Sequence, residues 1–137
     1  MPDYSKILIV DNADFILMVV RLRLEAYGIS PKNIYEASDG QNAYEIINKH
    51  GIKNILSDYE MKPMDGIELA AKLLLDEKRE DLRFVLFSGT PMEKIMAKID
   101  EYQLKIPILT KTTIRENWSK SNLLTNYFPE LSASIKA

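Results

Sequence analysis

Asn54-Ile55-Leu56-Ser57-Asp58, followed by Tyr59-Glu60-Met61-Lys62-Pro63-Met64-Asp65-Gly66, decides how this chain is read. An acid placed directly after a short apolar run stands at the carboxyl end of a buried strand, where open α/β sheets bind ligands. Asp11 takes the same place after Lys6-Ile7-Leu8-Ile9-Val10. Ser88 follows Phe84-Val85-Leu86-Phe87, and Lys111 follows Ile106-Pro107-Ile108-Leu109-Thr110. If these strands are parallel neighbours, two carboxylates, a hydroxyl and an ammonium converge. Such a set suits chemistry with a metal ion and a phosphoryl group.

Working outward, short β-branched runs alternate with longer amphipathic ones. Strands are expected at about 6–10, 33–37, 53–57, 83–88 and 106–110. Helices are expected at about 13–27, 40–50, 65–77, 91–102 and 113–126. The alternation predicts a parallel sheet covered by helices on both faces. Gly28 closes the first helix, while Asp39-Gly40 and Asp65-Gly66 open the second and third. Thr90-Pro91-Met92-Glu93 predicts a helix start with Thr90 as cap and Pro91 at the first helical position. Met92, Ile95, Met96 and Ile99 then share one face, which reads first as core. On the first helix Phe15, Leu22 and Ala26 widen the apolar surface beyond the stripe through Ile16, Val20, Leu24 and Tyr27. That width fits either a locally thick core or a docking face for a partner helix or a second copy of the chain.

The bulk numbers set limits. With 137 residues, 46% of them hydrophobic and 28% charged, the chain reads as one soluble domain spanning 1–137. A net charge of −2 without a basic block gives no support for direct nucleic-acid binding. The absence of cysteine excludes disulfides and thiolate metal sites, and it fits a reducing cytoplasm. Asp3, Asp11 and Asp14 interrupt the N-terminal region, against a signal peptide. The apolar stretch Phe15 to Val20 is far too short to span a bilayer. His50, the single histidine, precedes Gly51 and reads as a surface helix-end residue.

Taken in order, Ile7-Leu8-Ile9-Val10-Asp11, Ala37-Ser38-Asp39-Gly40, Ser57-Asp58 through Met64-Asp65-Gly66, Phe87-Ser88-Gly89 and Lys111 resemble the receiver domains of two-component response regulators. The resemblance covers about positions 5 to 126 and leaves a short tail. It implies a flavodoxin-like fold of five β/α units with strand order 2-1-3-4-5. It also implies roles. Asp58 resembles the acceptor that takes a phosphoryl group from a phosphohistidine. Asp11, the residue at position 12, Asp58 and the backbone carbonyl of Glu60 resemble the ligands of a magnesium ion, with manganese as an alternative. Ser88 and Lys111 resemble the groups that contact phosphoryl oxygens, and Gly89 the small residue that leaves room for them. The implied partners are a histidine kinase or phosphotransfer protein and a downstream protein, with no output domain attached and no reaction beyond self-catalysed phosphorylation and dephosphorylation. The face of the fourth helix, fifth strand and fifth helix is the implied output surface, with Ile114, Trp118 and Tyr127 as candidates there or in the core.

The chain departs from the family pattern at four places. Asn12 stands where the second acid of a pair is usual, so the pocket loses a negative charge. Glu60 either restores part of it or is a solvated loop acid. Ile108 replaces an aromatic switch residue, Thr112 replaces a proline, and Lys62-Pro63 reverses a usual order. Asn12 and Ile108 together motivate a second reading, a pseudo-receiver that binds partners without efficient phosphorylation. Enzyme readings fit worse. Haloacid-dehalogenase-type phosphatases need a second aspartate where Ala13 stands, and Asp11-Asn12-Ala13-Asp14 lacks the glycines of a dinucleotide loop.

Overall fold

The computed structural model of the chain describes residues 3–111 and 121–131. Five strands form one parallel sheet: β1 (Ile7–Val10), β2 (Ile34–Ala37), β3 (Asn54–Ser57), β4 (Arg83–Ser88) and β5 (Ile108–Thr110). Their order is β2-β1-β3-β4-β5, which agrees with the order implied by the family resemblance. Helices α1 (Asp14–Ala26), α2 (Gly40–His50), α3 (Gly66–Ala71) and α4 (Met92–Tyr102) alternate with the strands. The helix expected over 65–77 exists but changes character, since α3 widens into a π-helical stretch at Lys72–Asp76. Of the expected fifth helix only the end is described, as a π-helical stretch at Ser121–Thr125. Thr112, Ile114 and Trp118 lie outside the described residues.

Alternation along the strands sorts the core into two layers. Leu8, Val10, Ile55, Phe84 and Leu86 face Ala43, Ile47, Ile67, Ala70 and Ile95, on α2, α3 and α4. Ile7, Ile9, Leu56, Val85 and Phe87 face Leu17, Val20 and Leu24 of α1, together with Leu123, Leu124 and Phe128. The central strands β1 and β3 are buried at every position, as expected for a parallel sheet covered on both faces. β5 starts two residues later than expected. Pro107 has no N–H to give the ladder, although its carbonyl accepts from the Leu86 N–H at 2.9 Å.

Local chemistry explains the helix ends. Asp39 caps α2 by accepting from the Asn42 N–H at 2.8 Å, and Gly51 ends it at φ 64°. Asp65 and Glu68 form a reciprocal capping box on α3. The expected start of α4 needs correction by one residue: Pro91 is the cap, and no side chain bonds the first turn. Thr90 instead gives its backbone N–H to Ser88 Oγ at 2.9 Å, so it belongs to the turn leaving β4. The α4 stripe also divides. Ile95 and Ile99 are buried, whereas Met92 and Met96 are exposed. His50 is the last residue of α2 and is half-buried, its ring 4.6 Å from that of Tyr35. On α1, Phe15, Met18 and Leu22 are 68%, 50% and 58% exposed, so the apolar surplus faces outward rather than into a thick core. No helix among the described residues is long and apolar enough to cross a membrane.

Candidate functional site

Register places the acids. Val10 of β1 pairs with Ser57 of β3, so the residues that follow them, Asp11 and Asp58, leave neighbouring strands at the same level. The Asp58 N–H donates to the Val10 carbonyl at 2.7 Å, and the Asp11 N–H donates to the Ala37 carbonyl at 3.1 Å. These bonds extend the ladder by one residue and fix both backbones. Ser88 ends β4 and pairs with Thr110 of β5, directly before Lys111. The four side chains therefore stand at the carboxyl edge of β1, β3, β4 and β5, where the sheet reverses its winding order.

Asp58 lines a crevice of about 440 Å³ with Asn12, Glu60, Gly89, Thr90, Pro91 and Lys111. Asp11 and Ser88 are each only 1% exposed and lie beneath it. Lys111 Nζ joins the acids, 2.8 Å from Asp11 Oδ2 and 3.2 Å from Asp58 Oδ1. The Asp11 contact is close as an ion pair yet poorly aligned as a hydrogen bond, so Asp11 Oδ2 is buried without a directed donor. Asp11 Oδ1 instead accepts from the Ala13 N–H at 2.8 Å, which pins the carboxylate. Asp58 Oδ1 accepts from the Tyr59 N–H at 2.8 Å.

Burial, and then the nearby charge of Asp11, push the Asp58 carboxyl above its ordinary range despite Lys111. For Lys111, burial acts to lower the pKa, but bonding to Asp11 and the charge of Asp58 outweigh it, and the ammonium is held above its usual value. Two buried carboxylates share one ammonium, which leaves one uncompensated negative charge. An oxygen donor set of this kind suits a hard cation, which takes carboxylates, amide or backbone oxygens and waters. Asp11 Oδ2 is the atom of this site that lacks a directed partner. Among the described residues no group of three Asp, Glu, His or Cys side chains is arranged to hold a metal. With the side chains as they stand, a cation here would rely on the two acids, on Asn12 or backbone oxygens, and on water.

The expected residues thus gather. Asp11, Asp58 and Lys111 touch; Asn12, Glu60 and Gly89 line the same crevice; Ser88 lies beneath it with its hydroxyl engaged by Thr90. Sequence reading missed Lys98 on α4. It pairs with the α3 cap Asp65 and lies 5.7 Å from the Tyr59 ring, tying the loop after Asp58 to α4. No local motif announces that contact, because it joins residues 33 apart. Lys62-Pro63, in the same loop, is a cis peptide.

Fold and crevice together define a doubly wound α/β protein with a paired-acid site at the carboxyl edge of its sheet. The family described as response regulator receiver domain matches residues 7–117, and the chain belongs to it. Over 69 residues, half of this chain, it is 41% identical to the transcriptional regulatory protein SrrA of Staphylococcus aureus. The match spans 27% of SrrA, so the chain corresponds to only part of that regulator. In structure it is similar to the signal receiver domain of an HD domain-containing protein from Pseudomonas fluorescens, at 22% identity, TM-score 0.72 and 98% coverage of both chains. It also resembles the CheY of a CheX–CheY–BeF3–magnesium complex from Borrelia burgdorferi, at 23% identity, TM-score 0.65 and 77% coverage of both chains.

Proposed function

We propose that this receiver domain is a phosphorylatable switch, with Asp58 accepting a phosphoryl group from a phosphohistidine on a histidine kinase or phosphotransfer protein. The observation that carries the reading is the buried pair Asp11 and Asp58, bridged by Lys111 at the wall of an open crevice. Tyr59 and Lys111 hold Asp58 Oδ1, which leaves Oδ2 as the nucleophile. As the new O–P bond forms, the N–P bond of the donor breaks and the imidazole leaves with its electron pair. Positioning and charge neutralisation carry such a transfer.

Asp11, Asp58, Asn12 and the Glu60 carbonyl would hold magnesium, a role supported by the oxygen-rich donor set and by Asp11 Oδ2, which is ion-paired to Lys111 but accepts no aligned hydrogen bond. When bound, the ion neutralises charge on the phosphoryl oxygens and offsets the repulsion between the acids. Lys111 would move from the carboxylates to a phosphoryl oxygen, and Ser88 would exchange its Thr90 bond for another. In this reading the domain is cytoplasmic and signals by protein contacts rather than by catalysis on a metabolite.

Incubating the protein with magnesium and acetyl phosphate should add the mass of one phosphoryl group. Asp58→Asn should add none, and omission of magnesium should suppress the gain. Ile108 and Asn12 favour one rival, a scaffold that binds partners unphosphorylated. No gain with either acetyl phosphate or a phosphorylated histidine donor would establish the rival.

A further inference from the structure

The crevice is short of charge for a divalent cation. Asp11 and Asp58 contribute two negative charges and Lys111 removes one, so the pocket presents a net charge of about −1 to a dication. Asn12, next to Asp11 in sequence and exposed on the crevice wall, adds an oxygen but no charge. Glu60 is the remaining acid on that wall.

Its placement is specific. Asn12 and Glu60 line the crevice around Asp58, and both also line a second cavity of about 560 Å³ with Tyr59, Met61, Lys62 and Asp65. Among the described residues they alone are common to both walls, and so form the partition between the cavities. Among the described residues Glu60 makes no hydrogen bond or ion pair, whereas neighbouring Asp65 is spent on the α3 cap and on Lys98. Asp11 Oδ2, the buried oxygen of the same site, has the Lys111 ammonium at 2.8 Å but no aligned hydrogen-bond donor, and so keeps a lone pair to offer a cation. A flexible carboxylate at the partition can swing over the crevice without disturbing the core.

We infer that the Glu60 side chain supplies the negative charge that position 12 lacks, contacting a crevice-bound divalent cation directly or through one of its waters. With Glu60 turned in, the pocket charge reaches about −2 and matches the ion. This inference rests on the metal-assisted reading of the site. It assigns a role to the carboxylate of Glu60, beyond the role of its backbone carbonyl.

The test is a titration with manganese alone, followed by the electron paramagnetic resonance signal of the free ion. Glu60→Gln should weaken binding about tenfold, an effect equal to about 1.4 kcal/mol. Asn12→Asp should strengthen it, and in the Asn12→Asp background Glu60→Gln should cost far less than tenfold, because the charge is then redundant. Asp14→Asn, which removes an exposed acid nearby on α1, should leave binding within twofold and so excludes a diffuse effect of net charge. Equal affinity of Glu60→Gln and the parent overturns the inference while leaving the metal-assisted reading intact. Binding seen only after Asn12→Asp overturns the inference together with the metal-assisted reading of the parent chain. An absence of binding in every variant overturns that reading as well.

Discussion

The middle of the sheet and its β5 edge contribute to one crevice but are built differently. β1 and β3 have neighbours on both sides and no exposed position, and they carry Asp11 and Asp58 one residue past the ladder. β5 is three residues long, half-buried throughout, and among the described residues pairs only with β4. Lys111 leaves it half-buried, reaching the acids with a flexible stem. The acids are therefore set by backbone, and the ammonium is set by charge. The switch proposed above would need this division: an acceptor that holds still while its contacts rearrange.

Two glycines test the contrast most severely. A methyl group at Gly66 would stand 2.1 Å from the Asp58 carbonyl oxygen and 2.9 Å from Leu86 Cδ1. The obstacle is backbone that cannot yield cheaply. Gly66→Ala should lower stability by on the order of 3 kcal/mol or more, read from the urea midpoint. At Gly89 the nearest atom is Lys111 Cδ at 3.8 Å, an ordinary contact with a flexible stem. Gly89→Ala should stay within about 0.5 kcal/mol of the parent. Similar losses at both positions would erase the distinction between the two regions.

A pair of isoleucines grades it more finely. Ile55 is fully buried in the middle of β3, whereas Ile108 is half-buried at the start of β5. Ile55→Ala should cost about 2–5 kcal/mol, and Ile108→Ala roughly 1 kcal/mol. The second variant also asks whether the β5 side chain reports on the site. If beryllofluoride binding shifts the α4 amide resonances equally in Ile108→Ala and in the parent, the signal travels by another route. The Asp65–Lys98 ion pair between the loop after Asp58 and α4 would then be the contact to test next.

Legibility in the sequence follows the same division. The central strands announce themselves as apolar runs ending in an acid, because burial on both faces leaves little choice of residue. Their register carries Asp11 and Asp58 to one level, so the site's anionic half was readable from Val10-Asp11 and Ser57-Asp58 alone. Strand order came from the family resemblance, since alternation of strands and helices does not specify it. The edge was read less well. Pro107 delays β5, and Thr90 serves the turn of Ser88 rather than the cap of α4. Met92 and Met96 follow helical spacing yet remain outside, because periodicity records that a face is apolar and not what covers it. Phe15, Met18 and Leu22 on α1 make the same point.

The gentlest test compares two carboxylates at opposite ends of the sheet. Burial and then Asp11 hold the Asp58 pKa above its ordinary value, while the hydrogen bond from Lys53 holds that of Asp81, before β4, below its own. The signs of linkage are opposite. A raised folded pKa means that the group favours folding below its unfolded pKa, near 3.8, and loses that contribution as pH rises through the folded value. Asp58→Asn should therefore raise the urea midpoint at pH 7, with the gain shrinking as pH is lowered toward 4. A lowered folded pKa gives a contribution that is complete above the unfolded value and lost as pH falls through the folded one. Asp81→Asn should lower the midpoint slightly at pH 7, with the deficit fading only in acid. The Asp81 pair is partly exposed and screened, so its effect is the smaller of the two. Magnesium adds a last discrimination. A cation beside Asp58 removes the cost of its charge, so the advantage of Asp58→Asn should narrow when magnesium is added, while Asp81→Asn does not respond. An Asp58→Asn protein that gains nothing at pH 7 without magnesium would show that Lys111 alone compensates both acids, and that the Asp58 charge carries no cost in the folded state.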